Sequence, residues 1–219
     1  MLNEYAWARW AVLALVSITM VAAYFFTDVI SPLEDILIKT RQWDGVQYGV
    51  VTSSYSFFNI IGLLVIGGII LDRLGIRYTG TLFVSLMIAG ASLKAYAISD
   101  YFNAGGIGYD FFSSFLHGYT PSAKLGTTGF AIFGLGSEMA GVTVTKIIAK
   151  WFTGKELALA MGLQVALARF GTGLAFLLSP RMAASVSALK PAMFGCVLLC
   201  IGLLTFLIYC FMDKKFDKK

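Results

Sequence analysis

An all-α membrane protein of six spanning helices is the fold class that this sequence predicts, and three observations carry it. Hydrophobic residues make up 58 % of the 219 and charged residues 13 %, against about a quarter charged in an ordinary soluble domain. Mean hydropathy is +0.79. Six stretches stay apolar for roughly 20 residues, the length of helix that crosses a hydrocarbon core of about 30 Å. A water-soluble fold could not cover its surface with so few charges, which excludes soluble enzymes, nucleic-acid-binding modules and disordered tails. The formal net charge of +5 is then a matter of topology rather than a sign of an acidic partner.

The spans run from about 8–27, 46–71, 77–98, 126–149, 156–178 and 191–212. The first carries no cleavable signal, because its apolar run is too long and no small-residue cleavage site follows. Long connections (about 28–45 and 99–125) alternate with the short turns Asp72–Gly75 and Lys150–Lys155. Cationic residues set the orientation. With the N-terminus inside, Arg9, Arg73, Arg77, Lys150, Lys155, Lys214, Lys215, Lys218 and Lys219 mark the cytoplasmic ends, and Lys146 reaches the same side. The opposite side holds only Lys39, Arg41, Lys124, Arg181 and Lys190. Both termini are expected in the cytoplasm. Lys94, near the outer end of the third span, is expected to snorkel to the interface.

Glycine and alanine recur in spans two, four and five, where they let helix backbones approach closely in lipid. Cys196, Cys200 and Cys210 sit in one apolar stretch with no histidine nearby, since the single histidine is His117. That pattern suits small apolar helix residues, and neither a metal site nor any cofactor is expected.

The turn after span two reads Gly67-Gly68-Ile69-Ile70-Leu71-Asp72-Arg73-Leu74-Gly75-Ile76-Arg77. A glycine four residues before Asp72 admits a crossing helix, Gly75 permits a tight reversal, and the charges can latch a neighbouring helix in one conformation and release it in another. Deeper in the membrane, Glu138 in span four and Arg169 in span five are costly in lipid and are functional candidates on that ground. They lie equally far from the Lys150–Lys155 turn, which puts them at one depth. Two readings stay open: a structural ion pair, or a substrate site in which Arg169 takes a carboxylate and Glu138 an ammonium or a coupling proton. Tyr24, Asp28, Tyr55 and Asn59 are candidate cavity-lining residues of spans one and two, and Gln164 of span five.

The pattern Gly68-x-x-x-Asp72-Arg73-x-Gly75-x-Arg77 at the cytoplasmic end of the second span resembles the signature of the major facilitator superfamily. Ile76 stands where that signature usually has a basic residue. The segments Gly134-Leu135-Gly136-Ser137-Glu138, Trp151-Phe152-Thr153-Gly154-Lys155-Glu156-Leu157, Gly162-Leu163-Gln164 and Ala168-Arg169-Phe170-Gly171 are similar to the branch that includes the lysosomal dipeptide transporters, as is Tyr55-Ser56-x-x-Asn59. Phe58 replaces the proline expected before Asn59, which leaves the bend of span two open.

The resemblance implies the N-terminal six-helix half of a transporter working by alternating access, with Gly68, Asp72, Arg73, Gly75 and Arg77 as the cytoplasmic gate. It carries the substrate-charge roles onto Glu138 and Arg169, for a small zwitterion such as a dipeptide. The alternatives are a proton-coupled carrier of organic anions or sugars, or a non-transporting membrane partner. The other half, or a second chain, is expected as a partner, alongside the bilayer and the small-molecule substrate. No nucleic acid is expected, and a bacterial plasma membrane or a lysosomal-type membrane fits equally.

Overall fold

The computed structural model describes residues 4–185 and 187–217; Lys218 and Lys219 of the basic tail lie outside the described residues. Helices and turns make up the chain, with no strand among the described residues. Five helical stretches are long and apolar enough to cross a membrane: Ala6–Arg41, Leu63–Ala97, Pro121–Phe152, Leu157–Met182 and Leu189–Lys215. In chain order the helices are α1 (Ala6–Asp28), α2 (Glu34–Arg41), α3 (Gly45–Ser53), α4 (Phe57–Ile60), α5 (Leu63–Ala97), α6 (Asp100–Asn103), α7 (Tyr109–Ser113), α8 (Pro121–Phe152), α9 (Leu157–Met182) and α10 (Leu189–Asp217).

The 35 residues of α5 contain one non-helical residue, Gly75, at φ 79° and ψ 170°. A side chain there would be strained, and the break turns α5 into two arms. Their directions follow from the packing on α8. Gly67 and Asp72 meet Met139 and Lys146, so the first arm runs with α8. Gly90 meets Gly129 while Met87 meets Gly136, so the second arm runs against it. The turn expected at Asp72–Gly75 is thus a hairpin, and six long rods result.

A close backbone contact joins the second arm to α8. A Cβ on Gly129 would stand 2.6 Å from the Lys94 backbone nitrogen and 2.9 Å from the Gly90 carbonyl oxygen, and one on Gly90 would collide with the Phe133 backbone. Lipid supplies no hydrophobic drive between helices, so this backbone-to-backbone approach supplies the dispersion contact that holds them. On the other side α1 packs against α9 and α10. Val12, Val16, Ala23, Phe25 and Phe26 of α1 are wholly buried there. The buried Thr19 hydroxyl donates to the Gly202 carbonyl at 2.9 Å.

The long connections are folded rather than loose. Acidic residues open α2 and basic residues close it, which complements its dipole, and Arg41 pairs with Asp100 at 2.6 Å. Asp44 caps α3 by accepting from the Gln47 backbone at 2.7 Å. The Gln47 side chain in turn accepts from the Thr120 backbone and hydroxyl, at 2.9 and 2.8 Å, tying α3 to the start of α8. Phe102 of α6 packs with Ala97 and Leu125 over the end of α5. Lys94 corrects an expectation, being 0 % exposed instead of snorkelling. The close approach of Gly129 brings α8 over it, and the side chain lies between rings of α1 and α8.

At the opposite end, Asp213 of α10 is 2 % exposed and joins three helices. It accepts from Lys150 at 2.8 Å and from the Trp151 indole at 3.3 Å, and pairs with Arg77 at 3.5 Å. Beside it, Arg9 bridges to Glu156 at 3.1 Å and lies over the Phe152 ring. A backbone hydrogen bond and the Arg9 guanidinium hold the Glu156 carboxyl below the usual carboxylate range.

Four outcomes follow from these contacts. Gly90→Ala lowers thermal stability in detergent by about 1–3 kcal/mol, the usual cost of overpacking. Gly162→Ala, where a Cβ meets nothing within 4 Å, stays within about 0.5 kcal/mol. Asp213→Leu removes a buried acceptor shared by two cations and an indole N–H and costs on the order of 2 kcal/mol. Asp72→Asn, at an exposed pair, costs under about 1 kcal/mol in the same melts.

Candidate functional site

The second span is interrupted where the sequence lacks a proline. Side-chain hydroxyls fold back onto the helix: Thr52 donates to the Tyr48 carbonyl at 2.9 Å, Ser53 to Val50 at 3.2 Å and Ser54 to Val51 at 2.7 Å. Such bonds compete with the helical ladder. The chain tightens into a 3-10 turn at Ser54–Ser56, resumes as α4, and breaks again at Gly62 with φ 82°. The bend left open by Phe58 is therefore present, built from serine, threonine and glycine. Irregular backbone at membrane depth is characteristic of segments that line a cavity or are buried in protein.

Tyr55 sits in this break. Its carbonyl lies against Gly134 of α8, where any side chain would collide. Its ring leans on Phe130 at 5.5 Å and Phe133 at 6.2 Å between centroids, and those two stack at 5.7 Å. So placed, the Tyr55 hydroxyl donates its proton to the Glu138 carboxylate at 2.8 Å and can accept from the Ser137 hydroxyl, 3.3 Å away. Glu138 is half-buried, and one carboxylate oxygen is held by a neutral donor rather than a cation. Asn59, in α4, has its side-chain oxygen shielded from water with no hydrogen-bond partner.

Arg169 lies on α9, which packs along α1 rather than along α8. Its guanidinium is exposed and stands over the Tyr24 ring, 5.1 Å from the centroid. Helix α1 serves as a ruler for depth. Phe133 meets Phe26 and Gly141 meets Met20, so Glu138 stands beside residues 20–26 of α1. Gly171 meets Val21, so Arg169 stands beside the same stretch. The two charges share a level but form no ion pair, each being engaged by a tyrosine instead. One turn beyond Arg169, Thr172 donates to the Asp28 carboxylate at 2.7 Å. Gln164 is half-buried on α9, about 140° around the helix from Arg169, so the two do not share a face.

The turn charges lie at the other end. Asp72 accepts from Lys146 of α8 at 2.6 Å, with both side chains largely exposed. Arg73 is exposed, whereas Arg77 reaches Asp213. A cleft of about 250 Å³ opens among Asp72, Gly75, Arg77, Lys146, Lys150 and Asp213. Gly68 meets nothing within 4 Å, and its neighbour Gly67 makes the close contact with Met139. Sequence reasoning missed Asp213; the only signal was an acidic residue at the end of an apolar run, beside Lys214 and Lys215. No cluster of residues suited to a metal occurs among the described residues.

The comparisons with known proteins fit this geometry. The chain is 26 % identical to the lysosomal dipeptide transporter MFSD1 of Mus musculus, over 96 % of this chain and 43 % of that protein. It is 28 % identical to the MFSD1 proteins of Danio rerio and Homo sapiens, over 68 % and 75 % of this chain and 28 % and 31 % of theirs. The chain thus spans less than half the length of these curated relatives. The model of the Major Facilitator Superfamily matches residues 13–219. With its apolar helices, its hairpin at Gly75 and this match along nearly the whole chain, the protein belongs to the Major Facilitator Superfamily.

Proposed function

We propose that this chain is the N-terminal half of a secondary transporter that carries a dipeptide or similar small zwitterion by alternating access. The carrying observation is the pair of opposite charges at one level, Glu138 and Arg169, that do not neutralise each other. Each is oriented by an aromatic residue, Tyr55 or Tyr24, and each keeps capacity for a ligand. A guanidinium offers a substrate carboxylate two parallel hydrogen bonds, and a carboxylate offers an ammonium a counter-charge. Tyr55 orients Glu138, while Asn59 brings an unsatisfied acceptor near the same break in span two. Gln164 has the weaker case, from its place on α9 alone. The name of the relatives, dipeptide transporters, supports the substrate class.

At the cytoplasmic end, Asp72 and Arg77 each bridge the α5 hairpin to a different helix, as a gate requires. Arg73 stands exposed at the same turn, available to the other half of such a transporter fold. Gly68 leaves a smooth face on the first arm, and Gly75 makes the reversal. The six rods, with both termini and the Lys150–Lys155 turn on the cytoplasmic side, form one bundle across the bilayer. The excess of basic residues at those ends supports that orientation.

Uptake of labelled dipeptide by proteoliposomes of the complete gene product tests this reading. Arg169→Ala removes the bidentate partner and abolishes uptake while membrane insertion is unchanged; unaltered uptake would refute the assignment. Tyr55→Phe removes one hydrogen bond to a charged group and raises KM about tenfold. Unlabelled dipeptides compete, whereas hexoses and monocarboxylates do not. The reverse pattern would favour a carrier of sugars or organic anions.

A further inference from the structure

Lys94 takes no part in the site described above, yet its side chain is 0 % exposed. Its ammonium has no hydrogen-bond acceptor. It rests 3.2 Å from the Phe130 ring centroid and 5.3 Å from that of Phe26. Two aromatic faces recover part of what an ammonium loses on leaving water, but only part. The charged group whose field reaches it is the Asp28 carboxylate at the end of α1, two residues beyond Phe26; the Cys196 sulfur of α10 is the other titratable group nearby. From α8 it is Gly129 and Phe130 that meet Lys94.

Asp28 also pairs with no cation among the described residues. The hydroxyl of Thr172 holds it, and Thr172 is one helical turn from Arg169 on the same face of α9. Two opposite charges, one at the end of α1 and one on the second arm of α5, are therefore each held by neutral partners, and the holder of Asp28 lies on the helix that carries Arg169.

We propose that Asp28 and Lys94 are the two halves of a latch, held apart in this conformation by Thr172 and by the Phe26 and Phe130 rings, and joined as an ion pair in the opposite-facing one. Movement of α9 on binding at Arg169 draws Thr172 away from Asp28, and the freed carboxylate takes the ammonium out of its aromatic cage. The latch rests on the alternating-access reading, though not on the identity of the substrate. Because the latch supplies energy to one conformation only, it sets the balance between them.

A substrate-free experiment tests it. In the complete protein with its native cysteines, Cys196, Cys200 and Cys210 included, replaced by alanine, Gly173→Cys places a thiol beside Thr172 where a Cβ meets nothing within 4 Å. Its labelling rate by a membrane-impermeant maleimide reports the conformation. Lys94→Met keeps the side-chain length without the charge, and Asp28→Asn keeps the shape of the carboxyl. Each changes the rate about threefold or more, in the same direction, and the double variant changes it no further, because both act through one pair. The exchanged pair Asp28→Lys with Lys94→Asp returns the rate toward that of the parent. Additive effects, or rates that do not move, would overturn the latch. Non-additive labelling in a protein that carries no dipeptide would remove the substrate assignment and leave the latch standing. Dipeptide transport with additive labelling would do the opposite.

Discussion

The backbone contact of α5 with α8 at Gly90 and Gly129 is the constraint on which the other features depend. Inside a bilayer the apolar side chains gain little by leaving lipid for one another, so association needs surfaces that meet closely. Two facing glycines bring the helix axes near enough that Phe130 and Phe133 are pushed to the sides of the seam. There they become a wall: both rings support Tyr55, and Phe130 also shelters the Lys94 ammonium. A wider seam would loosen both.

Three levels of charge lie along the bundle, and each is handled differently. At the cytoplasmic end Asp213 is buried but meets two cations and an indole N–H, so its desolvation is offset locally. At mid-depth Glu138 and Arg169 are held by uncharged aromatic partners and keep their charges available. At the outer level Lys94 has rings and no acceptor. Rigidity follows this order: the fully paired level fastens helices, and the incompletely paired levels leave charged groups with unused hydrogen-bonding capacity.

Much of this was legible in the residues. Apolar length marked the long helices, and Gly75 beside Asp72 marked the hairpin, because both signals are local. The common level of Glu138 and Arg169 follows from counting along two helices from a shared turn. Counting does not give the lateral neighbour, however: α9 lies along α1, so the ion pair weighed as one reading does not form. The bend of span two was open because its usual proline is absent, and three hydroxyl-bearing residues and Gly62 make it instead. Lys94 was misread for a similar reason. Snorkelling assumes open water beside the helix end, and nothing in residues 90–98 reveals that Phe26 and Phe130 of two other helices will close over it. Asp213 needed knowledge of which three helix ends converge.

The cage around Lys94 also has a history along the chain. Phe26 precedes Lys94 by 68 residues and Phe130 follows it by 36. The ribosome therefore completes the second arm of α5 before the nearer ring exists. During that interval an ammonium in the third span has only one of its two aromatic faces, and it is cheapest to leave it at the lipid–water boundary. Burial of Lys94 is then a late event, completed when α8 enters beside α5 and Gly129 closes on Gly90. The order of synthesis thus makes the fourth span the first that can close both rings on Lys94, before α9 and α10 arrive to pack along α1.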